Sequence, residues 1–264
     1  MKHARALFAV RGTLPVRIRV LFAAAAFVVI FIAWAAATYS GRVSPLYLPT
    51  PTALVESAQQ LISSGDLWKA ILASLDRTLK ALALTAIIAI PLGILMGAFP
   101  AADAFFGAPI TAVKAVPATA FVGLVIMVFG IEERAKIVFL VLGAIFFMCL
   151  MVRNAILNVR EAYVRTATDI GVSGWQMIRH ILVPAALPEI WESIIICNGI
   201  MWTYIVIAEY TNAQAGLGFL IRKAEKVNQA APMYVSMIAI GLVAVGTDAI
   251  LRWMQRQFFP WKDK

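Results

Sequence analysis

Val20–Thr38 reads VLFAAAAFVVIFIAWAAAT, nineteen residues without a charge. A helix that crosses a bilayer needs ~20 mostly apolar residues, with ~17 as the lower limit, so this stretch is long enough to span. The rest of the chain follows the same solvent logic. Of 264 residues, 62% are hydrophobic and 14% are charged, and mean hydropathy is +0.85. A soluble domain carries about a quarter charged residues. This chain has too few charges to cover a surface facing water, so the bilayer must solvate much of it.

Five further segments are apolar enough to consider as spans: Leu79–Phe99 with Lys80 at its rim, Val116–Ile131, Lys136–Val152, Ile190–Ala208 and Met233–Leu251. The third of the six spans is short and contains Pro117; the last contains Asp248, which belongs at a headgroup boundary or against protein. The expected fold is therefore an all-α polytopic membrane protein of six transmembrane helices. Its single transmembrane domain covers residues 20–251, between an N-terminal arm (1–19) and a C-terminal tail (252–264). The first segment follows a basic stretch (Lys2, Arg5, Arg11, Arg17, Arg19) and contains the small residues Ala35–Ala37, as a cleaved signal would. Its apolar core exceeds the ~7–15 residues of a signal peptide, so a retained helix is expected.

Basic residues set the orientation. With the N-terminus in the cytoplasm, the arm, the 101–115 connection, the 153–189 loop and the tail hold fourteen of the 23 Lys and Arg. Both termini come out cytoplasmic, in the cell (inner) membrane. Two outer connections, Thr52–Ser64 and Gly218–Ala230, read as short amphipathic surface helices. The net charge of +9 flanks apolar segments instead of forming a patch with interleaved aromatics, which excludes nucleic acid. Cys149 and Cys197 both lie in apolar runs and read as packing residues, with neither a disulfide framework nor a metal site.

The loop over 160–188 contains Arg165-Thr-Ala-Thr-Asp-Ile-Gly171-Val-Ser-Gly-Trp175-Gln-Met-Ile-Arg-His-Ile181-Leu-Val-Pro184-Ala-Ala-Leu-Pro188. It reads as helix, turn, helix, stop. Gly171 stands where a first helix needs a residue tolerant of positive φ. Ser173 and Gln176 fit a capping box that opens a second helix. Trp175, Ile178 and Leu182 line one face of that helix, Arg179 and His180 lie away from it, and Pro184 ends it. A short capped helix lying along the membrane suits a mechanical contact.

This loop resembles the coupling ("EAA") loop of ABC importer permeases, whose pattern is E-A-A, three residues, G, nine residues, I-x-L-P. Ala167 takes the second alanine, Gly171 the glycine, Ile181 the isoleucine and Pro184 the proline. Arg165, Thr166 and Val183 depart from the glutamate, the first alanine and the leucine, which puts the glutamate's contribution to coupling in question. Other segments are similar to the nitrate/sulfonate/taurine branch: Ser44–Pro51, Ser74–Leu79, Val116–Phe121 with Phe129-Gly130, Ala208-Glu209 with Gly216-Leu-Gly218, and Pro260-Trp261.

The resemblance implies a type I importer permease with a cytoplasmic coupling helix between the fourth and fifth spans. It implies a homodimer with a second permease copy, two cytoplasmic ATPase subunits and an extracytoplasmic solute-binding protein. Arg165, Ala167, Gly171, Ser173, Trp175, Arg179, Ile181 and Pro184 are then the ATPase-coupling residues. There is no G-x-x-x-x-G-K-[ST] phosphate loop, so the chain is expected to be non-catalytic and to hold no cofactor, with ATP and Mg bound by the partner ATPase.

The solute path is sought among polar residues inside the spans. Asn198, Trp202, Ile205 and Glu209 recur on one helical face, which lines either the path or the dimer seam; Glu209, near the outer end and matching the family's Ala-Glu pair, is alternatively a structural anchor, and Met127 and Phe129 are further candidates for the path. No Lys or Arg falls in the middle of a predicted span. Taurine or another sulfonate is the first expectation for the solute, nitrate-like anions and small heteroaromatic compounds the others. A secondary transporter or channel without an ATPase is the rival class, but no repeat of broken helices marks it. A membrane enzyme would need clustered acid and base residues, and His3 and His180 are the only histidines. Gly93 and Gly97 form a small-xxx-small pair suited to close helix contact.

Overall fold

A computed structural model describes residues 15–211 and 213–261. Lys2, Arg5 and Arg11 of the predicted basic arm lie outside them, as does the end of the tail. The described chain is helical throughout, in the order α1 (Val16–Tyr39), α2 (Pro51–Ser63), α3 (Asp66–Ala98), α4 (Pro100–Lys114), a 3₁₀ turn (Ala118–Phe121), α5 (Val122–Phe129), α6 (Glu133–Leu157) and α7 (Glu161–Asp169). Then follow α8 (Gly174–Met177), a π turn (Ile178–Leu182), α9 (Val183–Tyr210), α10 (Leu217–Lys226) and α11 (Ala230–Phe258).

Five helices are long and apolar enough to cross a membrane, and α4 with the segment Ala118–Phe129 makes a sixth if the bent pair counts as one span. The prediction of six spans stands, with their ends moved. α3 begins at Asp66, thirteen residues before the predicted start, because Ser74 and Arg77 are buried in the bundle rather than solvated in a loop. The 101–115 connection is not a loop but the helix α4, tied by Asp103 to Arg153 of α6. Between α4 and the 3₁₀ turn the chain bends by 91° at Pro117, which has no N–H to continue a helix.

The core is built on the pair α3 and α6. A Cβ on Gly93 would come within 2.7 Å of Cys149 O and Val152 Cβ, and one on Gly97 within 2.6 Å of Ile156 Cβ. Only glycine lets the two helices approach this closely, as the small-xxx-small spacing predicts. α9 packs against both α6 and α3, with Met148, Cys149, Cys197, Met201 and Ile205 buried between the elements of one hydrophobic cluster. α1 stands at the periphery with its apolar side chains exposed, held at one end by Trp34 Nε1 donating to Pro49 O at 3.0 Å. Lipid is its solvent. The two predicted surface helices are present as α2 and α10; Thr50 caps α2 by accepting from Ala53 N at 3.2 Å.

Candidate functional site

Two features stand out at opposite ends of the bundle. The first is the 160–188 loop. α7 closes in a Schellman motif: Gly171 N donates to Thr168 O and Val172 N to Ala167 O, both at 2.9 Å, with Gly171 at φ +83°. That conformation suits glycine and costs other L-residues ~1–2 kcal/mol. No atom lies within 4 Å of a Cβ placed there, so backbone conformation alone selects the glycine. Ala167, at the head of the motif, is buried.

The second half of the loop differs from the expectation. Ser173 makes no capping bond with its side chain, so the S-x-x-Q pattern forms no capping box. Nor does Pro184 end the helix. The chain passes through the π turn, in which Val183 N donates to Ile178 O five residues back. This wider turn absorbs the proline, whose ring would otherwise collide with the carbonyl four residues before it. Pro184 then takes the first turn of α9, and Pro188 lies inside that helix. The loop's second helix is therefore continuous with the fifth span over Gly174–Tyr210, 37 residues.

The loop's tip carries large apolar side chains to the surface. Ile170 is 76% exposed and Trp175 65%, so Trp175 does not share the packing of Ile178, which is buried. Arg179 and His180 are exposed, and Arg165 pairs with Glu161 at 2.6 Å on the open face of α7. Ile181 and Pro184 line an open groove of about 500 Å³ with Tyr163, Thr166, His180 and Trp261. Exposed Trp and Ile bordering a groove are the usual mark of a protein-docking surface.

The second feature is a buried ion cluster at the opposite end. Glu209, fully buried, accepts from Ser74 Oγ at 2.7 Å, from Arg77 Nη1 at 2.7 Å and from Gly218 N at 2.8 Å. Arg77 also donates to Ala215 O at 2.7 Å and pairs with Glu133, which in turn holds Lys136. Ser74 Oγ accepts from Leu217 N at 2.9 Å. A Cβ on Gly216 would collide with the Glu209 carboxylate, and one on Gly218 would reach Glu209 Cβ at 2.8 Å. The Ser74–Leu79, Ala208-Glu209 and Gly216–Gly218 segments, far apart in sequence, thus form one knot joining α3, α6, α9 and α10.

The remaining predicted path residues are not gathered around an opening. Asn198 and Trp202 are buried within the chain, where Asn198 Nδ2 and Trp202 Nε1 both donate to Thr247 Oγ1 of α11 at 3.0 Å. With Glu209 locked in the knot, the shared face of α9 turns inward. Met127 is 79% exposed on α5. The partners Thr247 and Arg77 lay beyond sequence reasoning, because nothing local ties them to α9.

Comparison with known proteins agrees with this architecture. The chain is 30% identical over 233 residues to the taurine transport system permease protein TauC of Escherichia coli, covering 86% of this chain and 84% of that one. It is 29% identical to the putative aliphatic sulfonates transport permease protein SsuC of Bacillus subtilis, over 89% and 85%, and 26% identical to the bicarbonate transport system permease protein CmpB of Synechococcus elongatus, over 74% and 70%. An inward-facing structure of the MetNI methionine ABC transporter superposes with a TM-score of 0.65 at 19% identity, covering 74% of this chain and 97% of that one; it supports the fold. The family described as binding-protein-dependent transport system inner membrane component matches residues 89–264. That span takes in the coupling loop, both halves of the α9 face and the Gly216–Gly218 turn, and the chain belongs to that family.

Proposed function

We propose that this chain carries a small organic anion of the sulfonate class into the cytoplasm, driven by a separate ATPase that grips the 160–188 loop. The chain is a non-catalytic ABC importer permease of the inner membrane, working with an ATPase and a binding protein. Two copies pair, the loop faces the cytoplasm, and the knot around Glu209 faces outward. ATP and Mg are held by the ATPase.

The observation that carries the reading is the unbroken helix from Gly174 to Tyr210. Its first turn presents Trp175 to solvent; its last turn holds Glu209 in the knot. A displacement imposed on the loop by closure of two ATPase subunits is transmitted along this rod to the opposite face. Gly171 lets the rod and α7 keep their angle without strain. ATP drives the change only if it favours one state of the ATPase pair over the other, and by linkage a loaded binding protein at the far end then alters nucleotide affinity. The sulfonate class is supported by similarity to TauC and SsuC.

The test is reconstitution of the permease in proteoliposomes with its ATPase and binding protein, scoring ATP-dependent uptake of radiolabelled taurine and ethanesulfonate. Uptake that needs ATP and is competed by sulfonates supports the assignment. Uptake without any ATPase would return the chain to the secondary-transporter class, and ATP-driven uptake of only uncharged solutes would overturn the sulfonate class.

A further inference from the structure

The break in the third span holds a lysine that no carboxylate answers among the described residues. α4 ends at Lys114, and the next residues cross the 91° bend before the second limb starts at Ala118. This break packs against Leu142, Gly143, Phe146 and Phe147 of α6. At about 1.5 Å per residue, Phe147, fifteenth in α6 from Glu133, lies roughly 21 Å from that end of a helix about 37 Å long. By sequence Lys114 belongs to a cytoplasmic connection. The structure puts it beside the middle of a span.

Other cations in the body of the bundle have acidic partners: Arg77 with Glu133 and Glu209, Lys136 with Glu133, Arg153 with Asp103. Among the described residues Lys114 has no such ion pair, and its Nζ rests 5.6 Å from the centre of the Phe147 ring. A lysine at the bilayer centre costs ~2.5–3.5 kcal/mol even on the mildest scale. A ring contact returns about 0.5–2 kcal/mol. The ring does not offset the cost, so the ammonium needs water or an anion. The backbone asks for the same thing, since irregular chain at membrane depth persists only inside protein or along a water-filled cavity.

A cavity is present. It encloses about 120 Å³ between Lys114, Ala115, Phe121, Phe147 and Tyr204. That is well below the ~300 Å³ of the smallest drug-sized sites, so it admits a solute of few heavy atoms. A Cβ on Gly143 would meet the Tyr204 ring at 2.8 Å; the glycine lets the tyrosine lie close against α6 and wall the cavity. The Tyr204 hydroxyl has no hydrogen-bond partner among the described residues, which leaves a donor for a ligand.

We infer that this break is a subsite on the solute path for a small organic anion, its sulfonate or carboxylate group paired with the Lys114 ammonium and its carbon skeleton against Phe121, Phe147 and Tyr204. The inference rests on the importer reading, and its test is independent of which sulfonate is carried. In the permease assembled with its ATPase in membranes, Cys149 and Cys197 are replaced by alanine and Ala115, exposed at the break, is changed to cysteine. This thiol is treated with sulfonatoethyl methanethiosulfonate and, separately, with the trimethylammonioethyl reagent.

A basic, water-filled site makes the anionic reagent about ten-fold faster. Lys114→Gln removes that preference; Lys114→Arg keeps it. In the native-cysteine background, Lys114→Gln lowers taurine uptake at least about ten-fold while the complex still assembles. No reaction with either reagent, or a rate ratio unmoved by Lys114→Gln, overturns the subsite. If the preference holds but no sulfonate is carried, the sulfonate assignment falls and the subsite stands. Full taurine uptake by Lys114→Gln overturns the subsite and leaves the sulfonate assignment in place.

Discussion

Replacing Glu209 with alanine tests the knot that joins four helices at one end of the bundle. The carboxylate is fully buried and takes hydrogen bonds from Ser74, Arg77 and Gly218 between 2.7 and 2.9 Å. Breaking a buried ion pair by removing one partner costs about 3–5 kcal/mol. Arg77 keeps Glu133 and the Ala215 carbonyl, which places the Arg77 part of the loss at the low end. The Ser74 hydroxyl and the Gly218 N–H lose their acceptor, at about 1–3 kcal/mol for a buried group left unpaired. These losses overlap, so a total of about 3–5 kcal/mol is expected. At roughly 2–4 °C per kcal/mol for a chain of this size, Glu209→Ala lowers the melting temperature of the purified permease by about 10 °C. Glu209→Gln keeps the shape and the bonds from Ser74 and Gly218 and loses less. Ser74→Ala in the Glu209→Ala background adds less than it costs alone, because the two share one network. An alanine variant that melts within about 2 °C of the parent would refute the claim that this carboxylate fastens the helices.

Thr247→Val keeps the shape of the side chain but removes the acceptor shared by Asn198 and Trp202; thermal unfolding should show a loss of about 1–3 kcal/mol. Gly93→Leu drives a side chain into Cys149 O and Val152 and should prevent α3 from seating on α6, read as loss of the monodisperse peak in detergent chromatography; the cost exceeds the ~1–3 kcal/mol of ordinary overpacking because backbone must move. Trp175→Ala removes an exposed side chain, so melting should stay within about 0.5 kcal/mol of the parent while co-purification of the ATPase falls at least ten-fold.

Hydropathy was enough for the number of spans and for α1, because lipid solvates a side chain according to its polarity wherever the chain goes. It failed where charges are neutralised in the bundle. Arg77 read as a loop residue, yet it is inside, since Glu133 and Glu209 meet it from other helices; Lys136, expected at the first position of a span, is buried there because Glu133 answers it from the adjacent turn. Proline misled in one place and guided in another. Pro184 reads as a stop, but a single π turn carries the helix past it, and that adjustment depends on neighbours. Pro117, in a span already short of the required length, did mark a break, although not its angle. Periodicity correctly put Asn198, Trp202 and Glu209 on one face. Which way the face turns was set by Thr247 and Arg77, residues 49 and 132 positions away from Asn198 and Glu209. Gly171 was the most legible residue of the loop because its requirement is local: a positive φ at the end of a helix.

Transport in this scheme depends most on the loop acting as a joint between ATPase and span. The most direct measurement is ATP turnover and solute uptake, side by side, in reconstituted complexes with Gly171 and with Gly171→Val. Valine at φ +83° costs at least the ~1–2 kcal/mol of a left-handed residue and more for its branched side chain, and the space around its Cβ is open, so the change acts on the backbone alone. The predicted result is a complex that still assembles and hydrolyses ATP, but in which loaded binding protein no longer stimulates hydrolysis and uptake falls at least ten-fold. Stimulation and uptake at the parent's rates would contradict the joint.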